Sequence, residues 1–235
     1  MPGPGGEPEE NKTYFPFFSD FRGRNVTALR IGESSALACI FLLALAGNIW
    51  GICLLVRQQH RLRAANCLVL NLFCADLLFI TAIPFITVVR WTETWVLGDV
   101  VCHMLFYVVS LSGTVIILSL SAVSLERVVS IARLRHAALR RRKALAAALL
   151  LIWGIAALAT LPLCWFFSVV RLPAAAGEEI QICTLVWPSI GGEIAWDVTF
   201  ATVFFLIPGL VIVISYSKIL QAISLCDEFR KLQKE

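Results

Sequence analysis

The sequence predicts an all-α integral membrane protein, a bundle of five spanning helices with its N-terminus outside the cell. Three observations carry this reading. Hydrophobic residues are 59% of the 235 residues and charged residues 15%, whereas soluble domains run nearer half apolar and a quarter charged. Five apolar runs, over 35–56, 67–89, 101–131, 144–170 and 194–223, each reach the ~20 residues that cross ~30 Å of hydrocarbon. Basic residues gather on alternate connections between them. Helices are the expected form, because lipid offers no hydrogen-bond partner to open backbone. The net charge of +4 is modest and no long basic tract occurs, so nucleic acid is not an expected partner.

The elements follow in order. Residues 1–34 form a polar tail rich in Gly, Pro and Glu. It has no apolar stretch of the kind a cleaved signal peptide needs. Its two sequons, Asn11-Lys12-Thr13 and Asn25-Val26-Thr27, mark it as extracellular and glycosylated. Residues 35–223 are the transmembrane unit. Arg57, Arg61 and Arg63 follow the first run, and Arg133, Arg135, Arg140, Arg141, Arg142 and Lys143 lie between the third and fourth. The positive-inside rule places both connections in the cytoplasm. The 90–100 and 171–193 connections are then extracellular, with Trp91, Trp95 and Trp187 suited to the interface. Residues 224–235 are a short cytoplasmic tail.

Polar residues inside the runs are candidates for function. Asp76 sits mid-span, where a carboxylate is costly unless paired or hydrated. From the rise per residue, Asn48, Asp76 and Trp153 all lie roughly 14–15 Å deep, so Asn48 and Trp153 are expected hydrogen-bond partners of Asp76. The layer is a candidate hydrated site, conceivably for Na⁺. Glu126-Arg127 closes the third run at the cytoplasm. Pro208 should kink the fifth helix by freeing a carbonyl, and Tyr216 brings a hydroxyl to its cytoplasmic end.

None of the eight cysteines has the tight spacing of a metal site. Cys102 lies ~38 Å of helix before Arg127, which puts it on the extracellular side. Cys183 is on the same side, where a disulfide is stable. Cys164, near the outer end of the fourth run, is the rival partner. Arg90 closes the second run at its outer end, and a guanidinium can hold a carboxylate through two hydrogen bonds. Trp95, Phe106, Trp187, Trp196, Phe200 and Phe204 crowd the same level. A mostly apolar slot with one cationic group suits a lipid acid. The bland alternative has Arg90 reaching to lipid phosphates and the tryptophans forming an ordinary interfacial belt.

Gly47-Asn48-Ile49, then Leu72 and Asp76 within NLFCADLL, then Cys102 followed by Ser124-Leu125-Glu126-Arg127-Val128, then Trp153 and Pro162, then Pro208 and Tyr216 occur in that order. Together, over Ser35 to Leu220, they resemble the rhodopsin-like (class A) G-protein-coupled receptors. The resemblance implies the first five helices of a seven-helix receptor in the plasma membrane, with a heterotrimeric G protein and arrestin as partners. It implies a Cys102–Cys183 disulfide, a switch of Glu126, Arg127 and Tyr216 facing the G protein, and Asp76 as the acid of a Na⁺ site with Asn48. The family's serine on the third helix is Ile116 here, which stands against Na⁺, with Ser112 as the candidate substitute. FPFFSD, CLVLNLFCADLLFI, VRWTETW, ICTLVWP and VIVISYSKIL are similar to the branch of that family that binds medium- and long-chain free fatty acids. In that branch the arginine at the position of Arg90 is the carboxylate partner.

No sixth or seventh apolar run follows, and 224–230 departs from the family's pattern. The expectation is a truncated receptor that does not signal alone and is partly retained in the endoplasmic reticulum. A non-signalling or dominant-negative fragment is one alternative, and an ion transporter or channel using Asp76 and Asn48 another. No inverted repeat or pair of broken segments supports transport. No G-x-S-x-G, H-E-x-x-H or Gly-rich phosphate loop supports an enzyme.

Overall fold

The computed structural model describes residues 27–57, 64–132, 138–173 and 179–232. Asn11, Asn25, Arg61, Arg63, Arg133 and Arg135 lie outside the described residues. The fold is all-α apart from one two-stranded hairpin. Five helical spans are long and apolar enough to cross a membrane.

The first span is α1 (Thr27–Arg57), which begins inside the segment read as a tail. Its 31 residues measure roughly 46 Å, well beyond ~30 Å of hydrocarbon. None of its residues is buried, so it is a peripheral helix. It packs on the second span through Gly51, where an added Cβ would stand 2.5 Å from the Phe73 ring.

The second span is α2 (Ala64–Ile80) and α3 (Ala82–Thr92), broken at Thr81. Pro84 explains the break. Its ring excludes the carbonyl four residues back, that of Ile80, and it lacks an N–H. Thr81 bridges the gap, its hydroxyl donating to the Leu78 carbonyl at 2.6 Å. Glu93 closes α3 in the left-handed region, φ 57°, with its N–H on the Val89 carbonyl. A non-glycine residue there costs roughly 1–2 kcal/mol, so side-chain contacts must hold it.

The third span, α4 (Gly98–Ala132), is the central helix. It packs against α2, the fourth span and the fifth. Where α4 meets its neighbours it presents small hydroxyl residues, with Ser112, Thr114, Ser119 and Ser124 buried. Small side chains allow close backbone approach in lipid. The hydroxyls of Ser112, Thr114 and Ser124 donate back to α4's own carbonyls, which satisfies them without a partner helix.

The fourth span is α5 (Ala138–Phe166). The helix expected to reach residue 170 ends at Phe166, and Phe167–Pro173 is a strand, β1, paired antiparallel with β2 (Glu179–Leu185). Beyond the apolar core nothing enforces helix, and the Val169-Val170 pair favours extended backbone. The fifth span joins α6 (Ile190–Ala201), a π-helical turn (Thr202–Leu206) and α7 (Ile207–Leu232). The π turn ends just before Pro208, whose missing N–H frees the Phe204 carbonyl inside it. The expected disturbance is thus absorbed as a widened turn. Helix α7 also runs through most of the segment read as a cytoplasmic tail.

Gly51→Val should wedge α1 off Phe73. Overpacking of this kind costs about 1–3 kcal/mol, and it should appear as a lower thermal unfolding midpoint of the detergent-solubilised protein. Gly47→Val, where no atom lies within 4 Å of an added Cβ, should change it little.

Candidate functional site

The hairpin covers one end of the bundle. Cys183, on β2, is disulfide-bonded to Cys102 on the first turn of α4, the pairing that excludes Cys164. The bond closes 81 residues of chain, worth about 4 kcal/mol in a loop-entropy account. The α3–α4 connection docks beneath β2. The Trp95 backbone N–H donates to the Gln181 carbonyl at 2.7 Å, and its indole N–H to the Gly98 carbonyl at 2.9 Å. Thr94 accepts from the Gln181 N–H at 3.1 Å. Trp95 is consequently 1% exposed.

The predicted aromatic residues form two groups at this end. Trp95 and Phe106 share a cluster with the disulfide, Val89 and Phe167, and Phe106 stacks on Phe167 with ring centres 3.9 Å apart. Trp187, Trp196, Phe200 and Phe204 form a ladder with successive centres 5.7, 4.8 and 5.1 Å apart, and Phe166 extends it from Trp187 at 4.4 Å. Trp196 also packs against the first cluster, joining the two. Among the described residues the Trp187 indole N–H is buried without a hydrogen-bond partner. Phe166 and Phe167 went unread in the sequence. They sit at the helix-to-strand switch, which apolar periodicity does not mark.

Arg90 faces elsewhere. Its Nε and Nη2 donate to one carboxylate oxygen of Glu33 on α1, at 3.1 and 2.7 Å. Val89, one position along α3, is the residue that enters the aromatic cluster. Two further contacts flank the pair: the Trp91 indole N–H donates to Ser34 at 2.6 Å, and Arg30 pairs with Glu93. Glu33 fell within the segment read as a tail; the extension of α1 back to Thr27 makes it the single acid of that helix, and an acid on a spanning helix calls for a partner.

The mid-bundle layer differs from expectation. Among the described residues Asn48 and Asp76 share no hydrogen bond. The Asn48 amide donates to the Ala44 carbonyl of its own helix at 2.9 Å, and the Ser112 hydroxyl to Val108 and Val109 at 2.6 and 3.2 Å. Trp153 does not serve Asp76 either. Its indole N–H donates to Asn71 Oδ1 at 2.8 Å, and Asn71 Nδ2 donates to Ser119 at 2.8 Å. Equal depth does not ensure contact, because the direction a side chain takes around its helix also decides. Asn71 thereby ties α2, α4 and α5 together, a role its place in an apolar run could have signalled.

At the end remote from the hairpin, Glu126 is half-buried while Arg127 and Tyr216 are exposed, on α4 and α7. Ser215 beside Tyr216 is buried.

Residues 47–235 match the family model described as 7 transmembrane receptor (rhodopsin family). The chain is 57% identical over 224 residues to free fatty acid receptor 4 of Rattus norvegicus and 56% identical to that of Mus musculus. Each match covers 94% of this chain and 62% of the relative. A gastrin/cholecystokinin type B receptor of Sus scrofa is 30% identical over 201 residues, covering 84% of this chain and 44% of the relative. The chain thus spans less than two thirds of the length of these relatives, all of which are receptors.

Trp153→Phe keeps the ring and removes the donor, leaving the Asn71 carbonyl unpartnered at a cost of about 1–3 kcal/mol. Thermal unfolding should show this loss. Asn71→Ala combined with Trp153→Phe should be less damaging than the two single losses summed, because both remove one interaction.

Proposed function

The chain belongs to the rhodopsin family of seven-transmembrane receptors, and from that premise we propose that it is a plasma-membrane receptor for medium- and long-chain free fatty acids. The observation that carries this is an aromatic cluster and ladder at a disulfide-anchored hairpin, with Arg90 next in sequence to Val89 of that cluster and paired with Glu33 of α1. The free fatty acid receptors it resembles in sequence support the ligand class. The acyl chain lies along the Trp187–Phe204 ladder, and Arg90 holds the carboxylate. Each methylene taken from water contributes about 0.8 kcal/mol, so the chain supplies affinity while the arginine sets orientation and selects acid over ester.

The hairpin end faces the cell exterior, in agreement with the disulfide and with basic residues at the other end. Glu126, Arg127 and Tyr216 form the end that meets the heterotrimeric G protein and arrestin. Asp76 belongs to a hydrated polar layer. Ile116 offers no oxygen to a cation where the family carries a serine, so Na⁺ has no part in the proposal.

Three experiments test this. Cells expressing the chain should be scored for surface staining and for Ca²⁺ release evoked by fatty acid, with the rat receptor as control. Release supports a signalling receptor, whereas surface staining with silence assigns the chain a non-signalling role. Arg90→Gln should weaken binding of a long-chain acid by roughly 10- to 100-fold, the equivalent of a lost charge-assisted interaction, and leave its methyl ester unaffected. Equal acid binding by both proteins would remove Arg90 as the anchor. Treatment with peptide N-glycosidase should sharpen and shift the band on a gel, and Asn11→Gln with Asn25→Gln should abolish that shift. A band insensitive to the enzyme would show both sequons unused and withdraw glycosylation as support for an exterior N-terminus.

A further inference from the structure

Glu33 occupies the proposed acid site from within the protein. An arginine can embrace a carboxylate along its Nε/Nη2 edge or its Nη1/Nη2 edge. In Arg90 the Nε/Nη2 edge is already engaged, both donors converging on one Glu33 oxygen. We infer that Glu33 is an internal competitor for the ligand carboxylate and sets the affinity of the acid site. The inference rests on Arg90 as the anchor.

The strength of the pair decides whether it can act this way. A deeply buried pair would be locked, since parting its charges in a dry interior costs several kcal/mol. Here the side chains of Arg90 and Glu33 are 31% and 35% exposed. Solvent screens such a pair to a small net strength, and an incoming carboxylate can displace it. Displacement need not detach α1. Arg30–Glu93 and Trp91–Ser34 lie within one turn on either side. Positions 30, 33 and 34 share one face of α1, three and four residues apart. The helix is held at three points, and the central one is the carboxylate that sits on Arg90.

The test is equilibrium binding of a fluorescent long-chain fatty acid, and of its methyl ester, to the protein in lipid nanodiscs. Glu33→Gln removes the charge and keeps the shape. It should bind the acid roughly two- to fivefold more tightly, the range of an exposed ion pair, with the ester unchanged. Glu33→Asp, one methylene shorter, should move the same way. The gain should vanish in the Glu33→Gln/Arg90→Gln double variant and shrink at high salt. Acid binding unchanged or weakened in both Glu33 variants, while Arg90→Gln still loses binding, would overturn the competitor and leave the anchor standing. Acid binding indifferent to Arg90→Gln, or absent from every protein, would overturn the anchor and the competitor with it.

Discussion

Lipid supplies no hydrogen bonds, so every backbone N–H and carbonyl at membrane depth must be satisfied within the protein. The rest of the architecture follows from that constraint. It makes each apolar run a helix, and it dictates how the runs may be interrupted. Pro84 and Pro208 each free a carbonyl, and each interruption has its own local geometry. At Thr81 a side-chain hydroxyl returns to the Leu78 carbonyl. At Thr202–Leu206 the helix widens into a π turn. The small hydroxyl residues of α4 obey the same rule, bonding to their own helix and leaving its surface free for close packing.

The hairpin can exist because it lies where that constraint has lapsed. β1 and β2 pair their backbones with each other, and the disulfide fixes them over the head of α4. Trp95, bonded to β2 on one side and to Gly98 on the other, seals the joint. The aromatic ladder descends from this roof along the fifth span. Its upper rungs, Phe166 and Trp187, come from the segments flanking the hairpin, so roof and ladder are one unit.

Where α1 meets α3, charge is used in pairs. Arg30, Glu33, Arg90 and Glu93 interlock where α1 meets α3, and the otherwise unburied α1 gains its attachment there and at Gly51. The left-handed Glu93 is held in place by the same ion pair that fastens Arg30. Deeper in the bundle, neutral groups do the tying, as Asn71 does between Ser119 and Trp153. Neutral hydrogen bonds avoid the desolvation cost that a mid-membrane ion pair would carry.

The sequence by itself determined the five spans, their order and the depth of each polar residue. Depth is a linear function of position, 1.5 Å per residue along a helix, and needs no knowledge of neighbours. Composition likewise marked Arg90, the aromatic level and the cysteines of one end. Tertiary structure alone decided the partners. Depth put Asn48 and Trp153 beside Asp76, but azimuth around each helix turned Trp153 to Asn71 and left Asn48 on Ala44. Residue position left Cys183 and Cys164 both open as partners of Cys102; the resemblance implied Cys183, and the β1–β2 hairpin is what carries it over α4. Arg90 meets Glu33, 57 positions away, because the packing of α1 on α3 sets which faces oppose. A helix's rise is written in its own residues, whereas its rotation is set by the helices packed against it.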